Sequence, residues 1–95
     1  MIPGTVSKLS ETTVAFNAII DVKSDIVNVV GAGTINTLRP YGGGQASQLI
    51  LIPQTAALIL GTAGNILVGI TTAINRPVWL VYSKSLGKWL INSGV

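Results

Sequence analysis

Between Arg39 and Arg76 the chain runs thirty-six residues without a charged side chain, yet Pro53, Gly61, Gly64 and Asn65 divide that stretch into short apolar pieces. A bilayer-spanning helix needs about 20 consecutive apolar residues. The pieces here are residues 48–52, 57–60 and 65–70, and beyond Arg76 come residues 77–82 and 88–91. Five short apolar runs bounded by turn residues spell an all-β domain. Runs this continuous need cover on both faces, and a small chain obtains that cover most simply from copies of itself. The expected fold is therefore all-β, a small β-sandwich, jelly roll or short β-coil, trimeric, with an extended N-terminal arm.

Composition supports a homo-oligomer. Nine of 95 residues are charged and 48% are hydrophobic, against a usual charged share of about a quarter. Little polar surface is left to coat an isolated subunit. One domain is the expectation at this length, near the size where partner subunits or crosslinks become useful. With no cysteine in the sequence, a disulfide framework is excluded and the redox compartment is left open.

The net charge of +3 is unevenly spread, since Arg39, Arg76, Lys84 and Lys88 follow residue 38 without a balancing acid. These cations are scattered, whereas a nucleic-acid groove clusters Lys and Arg and interleaves aromatics. No nucleic-acid partner is expected. The start, residues 1–8, is mixed and turn-prone, unlike a signal peptide, so the chain is read as made and kept in the cytoplasm of the synthesising cell. A membrane helix over residues 49–74 is the competing reading, opposed by Pro53, Gln54, Gly61, Gly64 and Asn65 within it.

Along the chain, residues 1–11 read as an extended arm and residues 12–95 as one β-domain. From Thr13 to Ile19 the side chains of Val14, Phe16 and Ala18 alternate with Thr13, Ala15 and Asn17, the period of a half-buried strand. A turn follows at residues 23–25, a strand at 26–30, a bend at Gly31-Ala32-Gly33 and a strand at 34–38. Residues 39–44 form the clearest break. Beyond it Ile50, Leu58, Ile66, Val78 and Trp89 mark the middles of successive runs, the rhythm of a sandwich, jelly roll or short coil. Asn65 and Asn75 occupy turn positions suited to a left-handed backbone.

Catalytic constellations are excluded mostly by composition. Without histidine or cysteine, the usual metal ligands, thiol nucleophiles and commonest general base are missing, and neither a metal nor a cofactor is expected. Asp21 and Asp25 are near enough in sequence to suggest a carboxylate pair, but acids flanking a strand end mark a solvated turn. Gly31-Ala32-Gly33 lacks the helix that a dinucleotide fingerprint needs, and Gly42-Gly43-Gly44 lacks the Lys-Ser/Thr pair of a phosphate loop. The expectation is a protein that is not an enzyme.

The succession Gly33-Thr34-Ile35-Asn36-Thr37-Leu38, Leu49-Ile50-Leu51-Ile52-Pro53, Gly64-Asn65-Ile66, Pro77-Val78-Trp79-Leu80-Val81-Tyr82 and Gly87-Lys88-Trp89 resembles the β-rich modules ending phage tail fibres and tailspikes, and also small phage capsid decoration proteins. The likeness covers residues 31–92. It implies a virion protein assembled as a trimer. Read as beginning at Met1, the chain carries no shaft or anchoring domain, which favours a free-standing accessory protein. The expected function is thus a capsid decoration, or cement, protein that binds the capsid surface as a homotrimer and stabilises the lattice. A receptor- or glycan-binding tip is the alternative, with Tyr41 as the aromatic open to a partner or a sugar.

The expected partners are the chain itself and the major capsid protein. The arm would meet the capsid through Ile2, Pro3, Val6 and Leu9, since an extended segment can add a strand or run along a groove. Subunit contacts are expected at Phe16, Ile50, Ile66, Trp79 and Trp89, with the tryptophans divided between core and interface roles.

Overall fold

The computed structural model describes residues 10–40 and 47–91. All regular structure in them is β: β1 Glu11–Ala15, β2 Ile19–Asp21, β3 Ile26–Val30, β4 Gly33–Ile35, β5 Thr37–Arg39, β6 Ser47–Pro53, β7 Leu58–Leu60, β8 Ile70–Thr71, β9 Val78–Ser83 and β10 Lys88–Ile91. The fold class is all-β, as the apolar runs imply.

The pairing is mostly between successive turns of a coil. β1, β3 and β6 stack in parallel, Glu11 over Ile26 and Ile26 over Ile50. β4 stacks on β7, and β2 on β5, also in parallel. Of the three expected arrangements, the short β-coil is the one with this pairing, since sandwiches and jelly rolls are built from antiparallel strands. The ladders continue through the corners: Phe16 N donates to Val30 O, Gln54 N to Val29 O, and Gly61 N to Ile35 O.

An antiparallel hairpin finishes the coil. β9 runs antiparallel beside β6, and β10 beside β9, giving a five-stranded sheet in the order β1-β3-β6-β9-β10. β10 then bonds back to the third turn, with Trp89 N donating to Asn65 O and Leu67 N to Trp89 O. That end of the coil is closed by its own chain, which is what a solenoid terminus requires.

The core lies inside the coil. Alternation along each strand sends Val27 and Val29, Leu49 and Leu51, and Val78 and Leu80 inward, where they meet Ile35, Leu38, Leu58, Leu60, Ile66 and Trp89. Each such burial contributes about 1.5–3 kcal/mol. Both halves of the chain supply this core, so the inner faces of the apolar runs are hidden within one molecule rather than by sister molecules. Ile50, at the middle of its run, faces outward and is only half-buried.

Three local expectations need correction. The strand expected through Thr13–Ile19 breaks at residues 16–18, where the Asn17 Oδ1 accepts from Ile19 N at 3.1 Å and turns the chain; Ala18 is exposed. The run at 65–70 is barely a strand: Ile66 forms an isolated bridge with Trp89, and Leu67 and Val68 stand exposed. Residue 11 belongs to β1, and Ser10 already bonds to Asp25 and Ile26, so the described β-domain starts before residue 12. Across residues 49–74, read alternatively as a membrane span, the chain forms β6, β7 and β8. Among the described residues no helix is long and apolar enough to cross a membrane.

Gly31 and Gly33 explain the first corner. Both have positive φ, 123° and 146°, a region side chains rarely enter. The Phe16 ring lies against Gly33, and a Cβ on Gly31 would come within 2.7 Å of the Phe16 Cβ. The glycine cluster is a seat for an aromatic ring on the preceding turn, and Thr55 Oγ1 on the following turn accepts from Gly31 N at 2.7 Å.

Candidate binding groove

The outer face of the five-stranded sheet carries the features most suited to contact. Because Val78 and Leu80 point inward, Trp79 and Val81 must point outward, and both stay exposed, Trp79 at 48%. Trp79 stands opposite Ile50 on β6, which stands beside Ile26 on β3. The strand period thus builds an apolar row from three separate strands.

Beside this row the sheet face hollows into a cavity of about 710 Å³ lined by Lys23, Ser24, Asp25, Gln48, Ile50 and Trp79, with Ser10, Val22 and Ser47 completing it. The turn after β2 forms one wall and is tightly bonded. Asp25 Oδ2 accepts from Ser10 N at 3.0 Å and from Ser10 Oγ at 3.1 Å. The buried Ser24 Oγ donates to Ile26 O at 2.7 Å. That bond uses its single proton, so Thr12 Oγ1, 2.6 Å away, is the donor to Ser24. Lys23 and Gln48 are exposed. The Ser47 hydroxyl is buried with no hydrogen-bond partner among the described residues.

The residues singled out from sequence fall in different places. Ile50 and Trp79 come together at the groove. Ile66 and Trp89 are 1% and 0% exposed inside the core, leaving no surface for a sister subunit. Phe16 packs on the glycine corner. Ile2, Pro3, Val6, Leu9 and Tyr41 lie outside the described residues. Asp21 is paired with Arg39 at 3.3 Å on the surface, and Asp25 serves the Ser10 turn, so each acid has its own structural task. Among the described residues no group of three acids, histidines or cysteines gathers to hold a metal.

The hydrogen bonds of several buried or half-buried polar side chains were not foreseen. Asn65 donates its amide to Leu38 O at 2.6 Å and accepts from Leu38 N at 2.9 Å, so a side chain extends the β2-β5 ladder where the third turn has no strand. Asn65 takes no left-handed backbone; Asn75 does, with φ of 61°. Thr72 Oγ1 likewise accepts from Leu58 N at 2.8 Å and donates to Leu58 O at 3.0 Å. Asn28, on the outer sheet face yet buried, donates to Glu11 Oε2 at 2.6 Å. The available signal was a polar residue set within an apolar run, which must be hydrogen-bonded when buried.

No protein family, curated protein or solved structure matches this chain.

Proposed function

We propose that this chain is a non-enzymatic contact protein of a phage particle, a decoration or cement protein that binds the capsid as a homotrimer and stabilises its lattice. The observation that carries the reading is the apolar surface left over after the chain has closed its own core. Ile59 on the outside of β7, Val68 before β8 and Ile74 are 48%, 62% and 48% exposed, in a chain with only nine charges. Several large apolar side chains left exposed in a charge-poor protein favour association. Ile59, Leu67 and Val68 are the proposed subunit contacts, in place of Ile66 and Trp89 in the core, Phe16 at the glycine corner, and Ile50 and Trp79 at the groove. The phage setting comes from the sequence resemblance over residues 31–92, and the capsid contact is assigned to Ile2, Pro3, Val6 and Leu9.

Sedimentation of the full chain tests the assembly: the expected species has three times the subunit mass of 9.8 kDa, and Val68→Glu converts it to a folded single subunit. Removing residues 2–9 keeps the Ser10 bonds and is expected to leave the trimer intact while abolishing particle binding. A wild-type chain that sediments as a lone subunit at high concentration contradicts the trimer.

A second reading, a glycan-binding tip module, is favoured by one observation: Trp79 stands open to solvent on a groove whose wall also carries Gln48, Lys23 and Asp25.

A further inference from the structure

We infer that the groove beside Trp79 binds a neutral saccharide, hexose units of a polysaccharide, with the indole as the platform. The inference rests on the second reading above, and it is compatible with a trimer whose contacts leave this face open.

Three observations converge. The cavity, about 710 Å³, falls within the range of about 300–1,000 Å³ typical of small-ligand sites. Trp79 is the one aromatic among the described lining residues, fixed in the middle of a sheet by pairing with Ile50. Tryptophan combines a broad apolar plane with a polar N–H, which matches a sugar ring with its apolar C–H face and hydroxyl rim. The rest of the described wall sets polar groups beside apolar Val22 and Ile50: Gln48 offers both donors and an acceptor, Lys23 a donor, and Asp25 an acceptor.

The lining also decides against other ligands. Among the described lining residues Lys23 and Asp25 carry opposite charges, so neither a polyanion nor a cation gains from them together, and Lys23 is their single cation, short of the cationic track of a nucleic-acid groove. An oily ligand would strip water from Gln48, Asp25 and Lys23 without replacing their hydrogen bonds, which costs binding energy. A hydroxyl-rich neutral ring satisfies both halves of the groove.

The two tryptophans supply their own assay. Trp89 is fully buried and Trp79 half exposed, so acrylamide quenches only the Trp79 share of the fluorescence. Titration of the full chain with dextran, mannan or galactan should protect Trp79 from acrylamide with at least one polymer. Trp79→Ala should weaken retardation in a native gel containing that polymer about tenfold or more, and Gln48→Leu should weaken it with Trp79 fluorescence intact. Far-UV circular dichroism and the Trp89 emission report whether each variant is folded, and the wild-type quenching result stands even if Trp79→Ala is not. Protection by none of the three polymers, or undiminished retardation of a folded Trp79→Ala variant, overturns the proposal. Trp79 inaccessible to acrylamide before any sugar is added, with a trimer by sedimentation, also overturns it, because a sister copy then fills the groove and the assembly reading alone survives.

Discussion

The indole nitrogen of Trp89 donates to the carbonyl of Leu38 at 2.8 Å, across 51 residues of sequence. The same oxygen receives the Asn65 amide, and Trp89 N donates to Asn65 O. Second turn, third turn and closing hairpin therefore meet around one backbone carbonyl, with the largest fully buried side chain of the protein beside it. Trp89→Ala is expected to destabilise by about 3–5 kcal/mol, enough to threaten a domain whose total stability is about 5–15 kcal/mol. Trp89→Phe keeps most of the burial and is expected to cost about 1–2 kcal/mol. Urea denaturation followed by circular dichroism measures both; a Trp89→Ala chain as stable as wild type contradicts the core assignment.

Asn65 can be tested through pH. In Asn65→Asp at neutral pH the carboxylate still accepts from Leu38 N but cannot donate to Leu38 O, at an expected cost of about 2 kcal/mol. The protonated acid regains that donor, so folding favours the neutral form and raises the carboxyl pKa above its unfolded value of about 3.9. The deficit should vanish below that unfolded value and grow as pH rises through the folded-state pKa. Denaturation midpoints of variant and wild type, compared from pH 3 to 7 (about the span over which such a carboxyl titrates), check this; a pH-independent difference contradicts it.

Thr72→Val keeps the shape but removes the hydroxyl that bonds to both backbone groups of Leu58. The buried Leu58 N–H loses that acceptor, with an expected loss of about 1–3 kcal/mol. Thr72→Ser restores the hydroxyl and should recover most of it in the same denaturation assay.

Gly33→Ala meets the Phe16 ring and a φ of 146° together, for an expected cost of about 2–3 kcal/mol. With Phe16→Ala the ring is gone and only the backbone strain remains, so a double-mutant cycle should show coupling of about 0.5–3 kcal/mol. Additive effects would mean that the ring does not rest on the glycine.

Much of this architecture was legible in the sequence. The runs around Ile50, Val78 and Trp89 became β6, β9 and β10, and residues 26–30 became β3, because period-2 burial leaves few alternatives for short apolar runs. Stacking partners were less legible. Parallel contacts such as Val29 with Pro53 join residues with no local signal, and the turns of the coil differ in length, so no repeat betrays them. The strand expected near residue 66 failed because one amide, Asn65, does the work of a strand there. Of the candidate site, Ile50 and Trp79 were visible as residues, but their meeting was not. The turn at residues 22–25 reaches the groove only after β1 and β3 have been stacked, and Trp79 could be told from Trp89 only once the phase of each hairpin strand was known. Val78 and Leu80 flank one indole and send it outward, whereas Tyr82, opposite Trp89, packs edge-on against the other at 5.3 Å.

The most direct test of the proposed role is quantitative mass spectrometry of purified particles from the cell that makes this chain. The proposal predicts that it copurifies with intact particles at a fixed ratio to the major shell protein, in many copies. Its absence from the particles, or recovery only in the particle-free lysate, would contradict the proposal.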